Sequence, residues 1–253
     1  MSGRLYKGDL YLAVLDSNLG FNGYLDPING TQLEIGQTSE EIRVTSQKRA
    51  NWGQALATAY KPNPASIKVA INEAPAEILR MAFLGDIADL SEGAGSVADE
   101  SITLTAAKMD KWLDLSKRNI TAAGFQVQDV TDTTTYVLNT DYEVNYRLGK
   151  IKILSSGSIG STDVIHIDFD HSAVSGKRIQ GGLVQTINAR LLLDGQNVFT
   201  GVDGILTVYQ AALTPDTPID FYSSEPISVG LTGTLTVPAG QDHPFDFEDR
   251  EYS

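Results

Sequence analysis

Ser66-Ile67-Lys68-Val69-Ala70-Ile71-Asn72 is the stretch on which the fold turns. Ile67, Val69 and Ile71 share one face; Ser66, Lys68, Ala70 and Asn72 share the other. A period of two marks a strand with one face packed and one face wet. The pattern recurs along the chain. Residues 229–237 set Val229, Leu231, Leu235 and Val237 against Thr232, Thr234 and Thr236. Residues 163–170 set Ile165, Ile167 and Phe169 opposite His166 and Asp168, and residues 185–193 bring Ile187, Ala189, Leu191 and Leu193 together. Further strands are expected over 8–15, 32–38, 101–106 and 205–213. Helical spacing occurs once, over 75–84. Pro75 suits the first helical position, where its missing N–H costs nothing. Glu77 favours the positive helix end, Ile78, Met81, Ala82 and Phe83 form a broad apolar face, and Gly85 supplies a stop. The expected class is all-β with one short helix.

Composition narrows the chemistry. The 253 residues include 32 acidic and 19 basic side chains, a formal charge of −13. Such a chain repels the phosphate backbone that nucleic-acid binders must neutralise, and it disfavours anionic membranes for the same reason. Cysteine is absent, which excludes disulfides, thiolate catalysis and thiolate zinc sites. Arg4, Lys7 and Asp9 stand where a secretory signal would be apolar, and Asp16 and Arg80 interrupt the longest apolar runs, so neither a signal nor a membrane span is expected.

The charge is unevenly spread. Residues 1–72 carry seven basic and six acidic groups, residues 73–110 two and eight, residues 111–174 six and eight, and residues 175–253 four and ten. Residues 85–100 read as a polar, glycine-bearing loop, and residues 172–182 as a second junction. Between them Tyr142, Val144 and Tyr146 alternate with Glu143 and Asn145, Arg147-Leu148-Gly149 turns the chain, and Ile151 and Ile153 begin another strand. Residues 111–174 therefore read as a small β module inserted into a larger β domain made of residues 1–110 and 175–253.

Motifs for catalysis fail on context. Gly93-Ala94-Gly95-Ser96-Val97-Ala98 has dinucleotide-loop spacing but follows the one helix instead of opening it. His166, Asp168, Asp170 and His171 could ligate a metal, yet the first three share the wet face of one strand, so a solvated face is the simpler account. No nucleophile elbow, phosphate loop or zinc-protease helix motif is present. An acid–base pair of carboxylates has no residues that single it out. No enzyme, cofactor or metal is expected. The acidic segment from Gln241, with Asp242, Asp246, Glu248, Asp249 and Glu251, reads as a mobile tail or one that orders on a neighbouring subunit.

Residues 40–64 stand apart. Arg43, Lys48, Arg49 and Lys61 cluster there with Trp52 and Tyr60, and the strand pattern lapses after Val44. A long excursion between strands, with aromatics among cations, has the character of an interface anchor.

The run KRANWGQAL, then KPNPASIKVAINEAPAEILRMAFLG, resembles the tail tube (major tail) proteins of long-tailed, non-contractile bacteriophages. NARLLLDGQNVFTG and PIDFYSSEPISVGLTGTLTVP are similar to the closing strands of that family, and YVLNTDYEVNYRLGKIKIL to small β modules of tail proteins. The resemblance implies a β-sandwich or barrel-like fold with one flanking helix. It implies hexameric rings stacked head to tail into a hollow tube, filled during assembly by a tape measure protein and bounded by tail terminator and baseplate or tail-tip proteins. DNA would pass through the lumen without specific binding. Such proteins use a long loop between early strands to reach the adjacent ring; by position, residues 43–64 are that loop. Arg43, Lys48, Arg49, Trp52, Tyr60 and Lys61 would then meet an acidic counter-surface, with Asp86, Asp89, Glu92, Asp99 and Glu100, or the acidic tail from Gln241, as candidates. The 111–174 module would project outside the tube, and the protein would reside in the virion. The competing expectation is a carbohydrate- or receptor-binding tail module using Tyr142 and Tyr146.

Overall fold

The computed structural model describes residues 3–250. Strands account for 50% of the chain and helix for 4%, an all-β protein with one short α-helix. In chain order the elements are β1 (Tyr6–Val14), β2 (Gly30–Gly36), β3 (Ser39–Thr45), β4 (Ala55–Pro62), β5 (Ser66–Ile71), α1 (Ala76–Ala82), β6 (Asp86–Glu92) and β7 (Gly95–Thr103). A single 3-10 turn at Ala106–Lys108 precedes β8 (Trp112–Asp114), β9 (Gln126–Asp129), β10 (Tyr142–Asn145), β11 (Lys150–Ile153) and β12 (Val164–His171). The chain continues through β13 (Val174–Gln180), β14 (Ile187–Asn197), β15 (Asp203–Pro215), β16 (Val229–Leu235) and β17 (Phe245–Arg250).

Two compact units result. The first comprises residues 1–88 and 179–253, the second residues 89–178. The first is built on one antiparallel sheet in the order β1-β14-β15-β16-β5-β2, with β17 added to β15 beyond the end of β16. Ile67, Val69 and Ile71 point into the core with at most 1% exposure, as the opening heptad requires. Val229, Leu231 and Leu235 from β16 join them, while Val237, expected on the same face, lies past the strand and is exposed. Backbone bonds from Leu25 to Leu12 and from Ile28 to Leu10 fold the β1–β2 connection against β1, so the sheet curls into a half-barrel. α1 covers the curl with Ile78 and Met81, both fully buried in the same cluster.

The helix starts one residue later and ends two residues earlier than its sequence pattern implies. Pro75 sits outside as the N-cap, its carbonyl accepting from the Ile78 and Leu79 amides. The left-handed residue that stops the helix is Leu84 at φ +47°, not Gly85. Gly85 is needed for a different reason: a Cβ there would lie 2.4 Å from the Gln180 carbonyl oxygen.

The second unit contains two three-stranded sheets, β10-β11-β8 and β7-β12-β9. Ile165, Ile167 and Phe169 of β12 meet Ile151 and Ile153 of β11 in its core. Phe125 sits among Phe169, Tyr142 and Tyr146, with ring centroids 6.0, 6.1 and 5.5 Å away.

Several expected loops are strands. Residues 85–100 form β6 and the start of β7, and residues 172–182 contain β13, which pairs with β6. These strands are polar and mostly exposed, so neither face carries the period-two signal; long-range pairing holds them. The acidic segment from Gln241 contains β17, with Asp249 paired to Arg4, rather than a loose tail; Glu251 lies outside the described residues.

Candidate assembly interface

The residues singled out between 40 and 64 lie on a hairpin, not on an irregular loop. β3 pairs with β4 from Ser39↔Pro62 to Thr45↔Ala55, with a bulge between Val44 and Thr45. Every residue of both strands is exposed. Neither strand joins another sheet among the described residues. One face carries Ile42, Val44, Ala57 and Ala59 in cross-strand pairs, closed by Glu40 opposite Lys61. The other carries Arg43 opposite Thr58 and Glu41 opposite Tyr60. The Arg43 guanidinium donates to both oxygens of Glu41, at 2.8 and 2.9 Å.

The tip is built by its own hydrogen bonds. The Ser46 hydroxyl is buried and donates to Asn51 Oδ1 over 2.6 Å, while it accepts the Lys48 amide at 3.2 Å. The Ser46 amide donates to the Gln54 carbonyl and the Gly53 amide to the Ser46 carbonyl. Gly53 stands at φ +77°, where a side chain would be strained. Lys48, Arg49 and Trp52 are thus presented on a fixed turn, with Trp52 70% exposed. Neither lysine nor arginine at the tip makes an ion pair among the described residues.

The structure therefore separates the six candidates. Lys48, Arg49 and Trp52 gather at the tip; Arg43, Tyr60 and Lys61 lie along the stem, each facing or opposite a glutamate. Sequence reasoning missed Ile42, Val44 and Leu56, which are all more than half exposed on the stem. The alternation Glu41-Ile42-Arg43-Val44 was the available signal. It also missed Ser46 and Asn51, whose role depends on a turn that spacing does not reveal.

The proposed acidic counter-residues each meet a polar or charged group of their own chain. The Asp89 carboxylate accepts from Lys177 Nζ at 2.6 Å, which holds its pKa below the ordinary range. Glu92 is paired with Lys117 and is likewise lowered by that hydrogen bond. Glu100 accepts from the Ser116 amide at 2.8 Å and from its hydroxyl at 2.6 Å. Asp86 accepts its neighbour's amide, from Ile87. Asp99 lies instead beside His166, whose Nδ1 is 3.9 Å from Asp99 Oδ1 and 2.9 Å from Asp132 Oδ1. These three side chains have the spacing to hold a metal ion. Of the four residues weighed for metal binding, His166 alone belongs to this group. Asp168 accepts the Asp99 amide, Asp170 accepts the Ser96 hydroxyl, and His171 is buried on the opposite face.

The Gly93–Ala98 motif runs from the turn after β6 into β7, with no helix directly after it. Tyr142 is 4% exposed, so the tyrosine pair expected of a carbohydrate face is not on the surface.

A family model matches residues 5–239. The chain belongs to the family described as protein of unknown function UCP028589. The match spans both units and the whole hairpin and stops before β17. No curated protein matches the chain. No helix among the described residues is long and apolar enough to cross a membrane.

Proposed function

We propose that this chain is a structural subunit of a bacteriophage tail tube, a non-enzymatic virion protein that assembles with copies of itself. The observation that carries the proposal is the β3–β4 hairpin. A two-stranded ribbon alone in water is marginal at best. This one is exposed on both faces, displays Ile42, Val44 and Leu56, and ends in an ordered tip bearing Trp52 and two cations. Such a segment gains its stability by docking. A hairpin that reaches a different surface on a neighbour makes a heterologous contact, and heterologous contacts build rings or open filaments. Rings of six stacked head to tail are the arrangement that the sequence resemblance carries.

The curled sheet supplies the wall of such a tube. The formal charge of −13 of the whole chain suits a conduit that lets DNA slide without adhering. The second unit has a core of its own and is assigned to the outside of the tube, where it obstructs nothing. Tape measure, terminator and tail-tip proteins would be the remaining partners.

Negative-stain electron microscopy of the purified chain at rising concentration tests the proposal. Hollow tubes or stacked rings are expected. A persistent monomer at every concentration and salt condition sinks it.

A further inference from the structure

The hairpin needs an acceptor, and the acidic groups of β6 and β7 are mostly engaged within their own unit. A different surface has both the shape and the charge. A pocket of about 530 Å³ opens between the β1–β2 connection and the start of α1, lined by the apolar groups of Leu25, Pro27, Ala74 and Pro75 and by the side chains of Asp26 and Glu73. Asp26 and Glu73 are exposed, and neither makes an ion pair among the described residues. Glu73 is held in place by the Asn29 amide, which donates to its Oε2 at 3.1 Å. A third carboxylate, Glu77, lies at the same opening and meets Arg80 at 3.4 Å.

We propose that this pocket receives the hairpin tip of a second copy of the chain, Trp52 entering the apolar part while Lys48 and Arg49 meet Asp26 and Glu73. The inference rests on the assembly reading above and names the acceptor that it lacks. Two observations converge on it. The tip offers a large exposed aromatic flanked by two cations with no ion-pair partner. The pocket offers an apolar lining flanked by two carboxylates in the same condition. Buried aromatic anchors ringed by complementary charge are the usual centre of a binding interface. Donor and acceptor are different surfaces of one chain, so the contact propagates from copy to copy.

The absence of cysteine makes a clean test possible. Two single-cysteine variants, Gln47→Cys beside the tip and Ala74→Cys in the pocket, are mixed under assembling conditions and joined with a short bismaleimide. A linkage between residues 47 and 74 of different copies is the expected dominant product by peptide mass spectrometry. In parallel, Lys48→Glu/Arg49→Glu and Asp26→Lys/Glu73→Lys should each lower the assembled fraction about tenfold, the effect of roughly 1.4 kcal/mol. Mixing the two charge-reversed chains should restore it. Circular dichroism and thermal melts confirm that all variants fold. Assemblies that form without the 47–74 linkage, or charge-reversed mixtures that stay apart, overturn the pocket and leave the tube subunit standing. A parent chain that never assembles overturns both.

Discussion

The Ser46 hydroxyl donates to Asn51 Oδ1 across 2.6 Å, and this bond spans the base of the turn that carries Lys48, Arg49 and Trp52. Ser46 is the one residue of the hairpin tip with no solvent exposure. Removing its hydroxyl strands the Lys48 amide and frees the Asn51 side chain. Ser46→Ala should therefore leave the melting temperature of the chain nearly unchanged while weakening assembly several-fold. The cost of an unordered tip is met at binding, since each loosened side chain forfeits about 0.5–1.5 kcal/mol when it is immobilised. Sedimentation velocity across a concentration series, beside a thermal melt, separates the two effects.

Gly149 turns the chain between β10 and β11 at φ +61°, with a Cβ position only 1.8 Å from the Lys117 carbonyl oxygen. Gly149→Ala meets backbone, which cannot swing aside as a side chain would. The substitution should destabilise the second unit by about 1–3 kcal/mol. Trp112, which lies in that unit, reports the loss if Trp52 is first replaced by Phe. A chemical melt whose midpoint is unmoved would count against the packing described.

Acid should unfold the second unit through two aspartates. Asp129 accepts amides from Thr133 and Thr134 and the Thr131 hydroxyl, and the Thr134 bond leads in pulling its pKa down to about 2. Asp141 accepts the Ser158 and Val137 amides, both at 2.7 Å, and is also lowered. Each carboxyl titrates lower in the folded state than in the unfolded chain, so the unfolded state binds more protons in that window. The stabilisation is complete above the ordinary carboxylate range near pH ~4 and fades as the pH falls towards ~2. Asp129→Asn should flatten this acid limb in urea melts followed by Trp112. An unaltered slope would show that the turn contributes nothing.

The cluster that fills the first unit contains no residue from 89–178. Joining Glu92 to Val174 through a short glycine turn should leave the first unit folded, with a single cooperative melt and the β6–β13 pairing kept. On the proposed assembly, the shortened chain should still form tubes of smaller outer diameter. A molten product, with secondary structure but no cooperative transition, would mean that the first unit depends on the second.

Legibility followed burial. Ile67, Val69 and Ile71, or Ile165, Ile167 and Phe169, alternate because one face of each strand is sealed and the other is not. The sequence can be read there directly. β3, β4, β6 and β13 are exposed on most positions of both faces, so their side chains record no inside and outside. The strand character of β6 and β13 comes from pairing with each other across the chain, and that of β3 and β4 from their mutual hairpin pairing. Leu84 shows the same limit at single-residue scale. Its left-handed backbone closes α1 because neighbouring packing holds it there, whereas a pattern-based stop favours the adjacent glycine. Within the candidate interface, residue type alone was enough to mark Trp52, Lys48 and Arg49. Their turn, their separation from Arg43 and Lys61, and the pocket beside α1 emerge only from the fold.

The two-stranded β6–β13 sheet has a consequence for what this chain can carry. The backbone leaves the first unit along β6 and returns along β13, and these two strands pair with each other. A folded guest whose two ends lie about one strand spacing apart, ~4.8 Å, can be spliced between such paired strands. The position works as a socket. An engineer can use the same doorway to attach a cargo of choice to the first unit.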